Sequence, residues 1–287
     1  MKQHALKGNE PRVLVTGGTG KTGRRVARQL TDRGVATRVA SRSADVALYW
    51  NDPRSWAPAL CGVTAVYLAY SPDLAIPGAT DTIRAFVDEA VAQGVEQIVL
   101  LSGRGEEEAQ ACETIVAASG LRWTVVRSGW FAQNFSEGEF LPMVLNGAIT
   151  LPAGVIPEPW IDINDIADVA VAALTEPGHD GEVYEVTGPR ALTLEEIAAM
   201  IGEALGRPIA YVDVPQDEFV TGLEEAGLPE DLVWLLNYLF ATVLDGRNSE
   251  VADGVERALG RPPRDFRDYA RRIAARGTWG QSTREVA

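Results

Sequence analysis

Val13-Leu-Val-Thr-Gly-Gly-Thr-Gly-Lys-Thr-Gly23, continuing into Arg24-Arg-Val-Ala-Arg-Gln-Leu30, is the stretch that most restricts how this chain can fold. Three β-favouring residues enter a glycine-rich turn, and an amphipathic helix leaves it. Gly18, Gly20 and Gly23 satisfy G-x-G-x-x-G, while Gly17, Gly20 and Gly23 satisfy the looser G-x-x-G-x-x-G. One glycine permits the tight turn, one lets the backbone approach a pyrophosphate, and one lets the helix pack close to the strand. The phosphates then sit over unpaired N–H groups and the positive end of the helix dipole. Glycine is common in loops, so the evidence lies in the order of strand, turn and helix. That order predicts a dinucleotide site, and the spacing is not that of a P-loop.

The next strand, Thr37 to Ser41, ends in Ala40-Ser41-Arg42-Ser43, where the adenine ribose would lie. A carboxylate here holds the 2′-hydroxyl of NAD, whereas an arginine accommodates the 2′-phosphate of NADP. This strand end offers Ser41 and Arg42, with no acid before Asp45, and points to NADP(H). Lys21 adds positive charge on the same side.

Strands and helices then alternate. Asp45 to Trp50 holds a short strand, Pro53 to Leu60 a helical turn, and Thr64 to Tyr70 an apolar strand. Thr80 to Gln93 reads as a helix with Ile83, Phe86, Val87, Ala90 and Val91 on one stripe. Gln97 to Leu101 is a strand, Glu106 to Ser119 a helix, and Arg122 to Val126 a strand. Such alternation gives an α/β fold, a Rossmann-type doubly wound parallel sheet whose strands are apolar throughout because helices cover both faces. Ligands bind along the rim of strand C-termini. Gly17 to Gly23, Ser41-Arg42, Tyr70-Ser71, Ser102-Gly103 and Arg127 to Asn134 all fall there.

Beyond Arg127 the repeat loosens. Trp130, Phe131, Phe135, Phe140 and Trp160 crowd the region expected over the nicotinamide. Singly, such aromatics are ordinary core; together they suit a bulky, flat ligand. Asn164-Asp165 reads as the N-cap of a helix from Ile166 to Leu174. Glu182 to Thr187 and Ile209 to Val214 read as strands, and Thr193 with Glu196 as a capping box. From Gln216 the pattern is helical: Phe219 to Ala226, Asp231 to Leu244 and a basic helix from Pro262 to Ala275. Trp234 to Phe240 is apolar on nearly every side, so it is covered, forms a dimer face, or closes over a ligand through Trp234 and Tyr238. The expected division is a cofactor-binding core over 11–150, with later elements returning at about 160–190. A smaller, mostly helical substrate region follows over 191–275, with loose tails at 1–10 and 277–287.

Composition excludes several function classes. A net charge of −14 over 287 residues argues against a nucleic-acid partner. No apolar run reaches the length of a membrane span, and Met1 to Glu10 lacks a signal-peptide core. Cys61 and Cys112 read as reduced thiols, so a cytoplasmic location is expected; the chain is expected as a monomer or homodimer. His4 and His179 are the only histidines, which disfavours a Ser-His-Asp triad or a histidine metal site, and no metal is expected.

From about Pro11 to Ala275 the chain resembles the atypical short-chain dehydrogenase/reductases of NmrA-like type. The carrying residues are Thr16 to Gly23, Val39-Ala-Ser-Arg42, Val99-Leu-Leu-Ser102, Ser119 to Arg127, Gly129-Trp-Phe-Ala-Gln-Asn-Phe135 and Trp160 to Ala167. It is most similar to the branch holding ergot-alkaloid iminium reductases, small quinone reductases and aromatic-polyketide ketoreductases. The resemblance implies NADP(H) held by Gly17, Thr19, Gly20, Lys21, Thr22, Arg42 and the Tyr70-Ser71 loop. Gly23, Ser41, Ala69 and Ser102 complete the expected cofactor contacts.

The chain departs from its superfamily at one place. Ordinary members use a serine after their fifth strand, here Gln97 to Leu101, and Tyr-x-x-x-Lys about a dozen residues later. Ser102 stands at the serine position, but Ala109 and Glu113 stand about where the tyrosine and lysine are expected. Glu113 reads as solvated helix surface, and Tyr70 as packing on the cofactor. A positioned general acid typically contributes about 10²- to 10⁴-fold. Without that dyad, three routes remain. The substrate needs no acid, as for an iminium or quinone; it supplies its own proton, as from a neighbouring phenol; or the protein is a non-catalytic NADP(H) sensor. The expected activity is hydride transfer from NADPH to a ketone or quinone carbon of a bulky aromatic small molecule. Trp130 and Phe131 position that substrate, and Ser102 either bonds its oxygen or merely forms a turn.

Overall fold

The structure, a computed structural model, describes residues 12–280. Seven strands make one sheet: β1 (Val13–Val15), β2 (Thr37–Ser41), β3 (Val46–Ala47), β4 (Ala65–Leu68), β5 (Gln97–Gly103), β6 (Arg122–Ser128) and, after β7 (Ala148–Leu151), β8 (Glu182–Val186). Their spatial order is β3-β2-β1-β4-β5-β6-β8, and every neighbouring pair is parallel. The chain reverses direction across the sheet between β1 and β4, the place where such folds open a ligand crevice.

Alternate residues of each strand feed opposite faces. Leu14, Val66, Leu68, Ile98, Leu100 and Val125 pack under α2 (Trp56–Leu60), α3 (Ala79–Ala92) and α4 (Glu107–Ala117). Val13, Val15, Tyr67, Val99 and Val126 pack under α1 (Gly23–Asp32) and, after α5 (Asn134–Glu137) and α6 (Leu141–Asn146), α7 (Ile163–Thr175). Each such buried aliphatic contributes roughly 1.5–3 kcal/mol of transfer free energy. That gain is why the central strands β1 and β4 are apolar on both faces.

A second layer contains α8 (Leu194–Leu205), β9 (Ala210–Asp213), α9 (Gln216–Glu225), α10 (Glu230–Tyr238) with a π-helical turn at Leu239–Val243, and α12 (Phe266–Ala275), while α11 (Gly254–Leu259) between them packs on α7 and β8. The layer's core is not confined to the expected span of 191–275 but draws in residues from the segment after β6. Phe135, Phe140, Val144, Ile149 and Leu151 share one cluster with Ile197, Ile201, Phe219, Phe240 and Tyr269, and β7 pairs in parallel with β9. In the other direction, Val255 of α11 returns to the sheet face beneath α7.

Two local readings change. The N-cap of α7 is Asp162, whose carboxylate accepts the Asn164 N–H at 2.9 Å, rather than Asn164-Asp165. The loose tails expected at 1–10 and over 281–287 lie outside the described residues. Residues 277–280 are anchored, because Trp279 is buried and its Nε1 donates to the Phe135 carbonyl at 2.7 Å. The capping box of α8 is present, with the Glu196 N–H donating to Thr193 Oγ1 and the Thr193 N–H to Glu196. No described helix is long and apolar enough to cross a membrane.

Candidate functional site

The glycine turn interlocks with its surroundings. Gly17 has φ +57°, which favours glycine. A β-carbon on Gly18 would lie 2.5 Å from Val39 Cγ1, and one on Gly23 would lie 2.3 Å from the Gly17 carbonyl oxygen. Thr16, to which the sequence reading gave no role of its own, ties the turn to β4: its hydroxyl accepts the Ala69 N–H at 2.8 Å. None of the N–H groups of Thr19, Lys21 and Thr22 finds a backbone acceptor among the described residues. Thr22 makes no side-chain cap on α1, whose first turn has no acid. These unpaired donors at a helix start fit a pyrophosphate.

At the end of β2, Thr19 donates to Ser41 Oγ at 3.0 Å and the Ser43 N–H donates to the same oxygen at 3.2 Å. Arg42 is exposed beside these hydroxyls, and among the described residues it pairs with no carboxylate. Ala69 is buried under the turn, Ser71 is exposed, and Tyr70 lies with its ring 4.9 Å from Trp50. Lys21 does not project freely over the turn. Its Nζ donates to Asn134 Oδ1 at 2.8 Å, and burial lowers its pKa against the opposing pull of Glu139 and Glu137.

The absent relay has a different occupant. Ser102 is buried and its hydroxyl donates to Glu113 Oε1 at 2.6 Å. Arg127 Nε donates to the same oxygen at 2.9 Å, and its Nη2 pairs with the other. Arg127 Nη1 reaches Glu185 at 2.7 Å, and Arg104 reaches Glu185 at 3.2 Å. Glu113 is thus a buried ion-pair member and not helix surface. Its bonds hold the Arg127 guanidinium's pKa up. The Ser102 proton is committed to that carboxylate, so Ser102 cannot give it to a substrate in this arrangement. Ala109 is buried.

Two further carboxyls were missed. Glu106 is buried beside Gly103 with Oε2 unpartnered. Glu158 is 1% exposed with both oxygens unpartnered, and burial raises its pKa to about 7, with Arg104 opposing. Nothing local marks either one, since burial comes from segments far away in the chain.

The aromatic candidates divide. Trp130 is half-buried, 5.0 Å from Phe240 and 5.7 Å from Trp160, and Phe131 is half-buried where it bridges to Ile161. Phe135 is fully buried between Phe140, Trp160 and Phe266, which makes it core and not a ligand contact. Trp234 is 40% exposed and stacks on Tyr238 at 5.4 Å. The Tyr238 hydroxyl donates to Glu108 at 2.9 Å, fastening α10 to α4.

Residues 17–177 match the family model described as NAD(P)H-binding. The chain is 32% identical to the NAD(P)H azoreductase of Xenophilus azovorans, covering 92% of this chain and 98% of that protein. It is 30% identical to the agroclavine dehydrogenase of Claviceps fusiformis, covering 90% and 95%. Among solved structures, the NADPH-dependent quinone oxidoreductase of Escherichia coli in complex with NADPH superposes with a TM-score of 0.74 at 22% identity, covering 91% of this chain and 99% of that one. The chain belongs to the NAD(P)H-binding family, in its NmrA-like branch of atypical short-chain dehydrogenase/reductases, and is an oxidoreductase.

Proposed function

We propose that the protein is an NADPH-dependent reductase of bulky, conjugated aromatic small molecules, acting at a ketone or quinone carbon. The observation that carries the reading is the replacement of the tyrosine–lysine relay by buried Ala109 and an ion-paired Glu113. When bound, NADPH supplies a hydride. The chain's own part is to hold the cofactor through the turn and Arg42, and to offer Trp130 and Phe131 as apolar walls. Proximity of this kind lowers a barrier by up to several kcal/mol. An iminium carbon suits the same wall and is supported by the kinship to a clavine dehydrogenase. Cofactor preference for NADPH is supported by exposed Arg42 and the lack of an acid at the end of β2.

NADPH oxidation against quinones, hydroxylated polycyclic ketones, cyclic imines and azo dyes tests the reading. Turnover of at least one class with NADPH preferred over NADH is the expected result. Tight cofactor binding without turnover of any class would contradict it and favour a non-catalytic sensor.

A further inference from the structure

Between α1, α5, the start of α7 and α12 lies a groove of about 340 Å³, room enough for a small organic ligand. Five arginines line it, Arg24, Arg25 and Arg28 from α1 and Arg272 and Arg276 from the end of α12, against one carboxylate, Glu137 of α5. The whole chain carries 40 acidic and 26 basic residues, so this concave wall reverses the sign of the molecule's net charge. A cleft lined by one sign of charge concentrates ions of the other. Part of the wall already holds an oxyanion. Arg25 grips Glu137 through two N–H groups, Nη2 to Oε1 at 2.5 Å and Nη1 to Oε2 at 3.0 Å, and Arg24 pairs with Oε2 as well. The Arg25 side chain is 12% exposed and is fixed by further bonds, from Nε to Asn164 Oδ1 at 3.2 Å and from Nη1 to the Lys21 carbonyl at 2.7 Å. Arg272 pairs at 2.5 Å with buried Asp162, which does not itself line the groove. These three arginines fasten α1 to α5 and α12 to α7. Arg28 and Arg276 fasten nothing: both are exposed, and neither has a carboxylate partner among the described residues. Arg28 stands one helical turn beyond Arg24, on the same face.

We propose that this groove is an anion site, separate from the dinucleotide site, for a small molecule carrying a phosphate or diphosphate group. Arg28 and Arg276 are its primary contacts. The planar fork of a guanidinium matches two phosphate oxygens at once. A phosphate dianion balances the two uncommitted guanidiniums, whereas a single carboxylate balances one. Arg24 and Arg272 flank the ligand with the N–H groups that Glu137 and Asp162 leave over. The cofactor and this ligand bind together, because none of the glycine-turn residues 17–23 lines the groove and Arg42 stands at the end of β2.

Titration calorimetry of the NADPH-saturated protein with inorganic pyrophosphate, at constant ionic strength, tests the site, since bound cofactor fills its own phosphate contacts. One saturable site is expected. The double variant Arg28→Ala/Arg276→Ala should weaken it by about tenfold or more and leave NADPH affinity unchanged. The double variant Arg84→Ala/Arg122→Ala removes the same charge from exposed positions elsewhere and should bind pyrophosphate as the wild type does. The readout is binding alone, so it stands or falls apart from the reductase reading. No pyrophosphate binding to the NADPH-saturated wild type, undiminished binding by Arg28→Ala/Arg276→Ala, or an equal loss in Arg84→Ala/Arg122→Ala overturns the site. A loss of NADPH affinity in Arg28→Ala/Arg276→Ala overturns it too, by assigning these arginines to the cofactor.

Discussion

Arg42 stands exposed beside the Thr19, Ser41 and Ser43 hydroxyls, whereas Arg127 is already committed to two carboxylates. Hydrogen bonds to a charged group contribute about 1.5–3 kcal/mol. Arg42→Ala should then weaken NADPH binding by about tenfold or more while NADH binding is nearly unchanged, as read by fluorescence titration. Equal losses would place Arg42 away from the 2′-phosphate. Glu158 makes a pH prediction. Its folded pKa rises from 4.5 to about 7, so the folded state holds this proton more tightly than the unfolded chain. The stability it contributes is full below pH 4.5 and is lost as pH rises through about 7. Glu158→Gln should be more stable than the wild type at pH 8, by up to about 3 kcal/mol, and nearly equal at pH 4 in urea melts. Parallel stability curves would contradict this. At this scale the shape of the glycine turn was legible because it depends on neighbours in the chain. Glu113 was misread because the arginine that covers it comes from β6.

Strand β5 and helix α4 are joined to β6 and β8 by Ser102, Glu113, Arg127 and Glu185. Removing one partner of a buried ion pair leaves the other charge uncompensated, at a cost of about 3–5 kcal/mol. Glu113→Ala should thus lower the stability measured by urea unfolding by about this amount. A change below about 1 kcal/mol, the range of exposed pairs, would show the network to be solvent-screened. Helix α10 presents Trp234 to solvent while Leu235 and Leu236 are buried, so this apolar stretch is not covered on every side. Trimming Trp234 and Tyr238 to alanine should reduce turnover of a bulky acceptor and preserve NADPH binding if α10 closes over the ligand. Lost folding or a lost dimer would assign it to packing instead. The long βα alternation was legible because each element carries its own period. The short α5, α6, β7 and α11 were not, since β7 exists by pairing with β9 and α11 by covering α7 and β8.

Across the whole molecule, a cofactor-binding sheet and a second aromatic-rich layer meet at one rim. The segment following β6 leaves the sheet and builds the second layer, so Trp130 and Phe131 sit at the junction of the two. Their sequence position announced an aromatic region, but the division between wall and core, with Phe135 on the core side, required the packing of α12 and Trp279. On the proposed function, the intact glycine turn holds the hydride donor and the missing tyrosine–lysine dyad leaves the proton to come from elsewhere. NADPH carrying deuterium at both C4 positions, incubated with an aromatic ketone or cyclic imine that the enzyme consumes, tests this most directly. Mass spectrometry of a reduced ketone or imine should find one deuterium on the former carbonyl or iminium carbon. A ketone or imine product free of deuterium, formed while NADPH is consumed, would contradict the account.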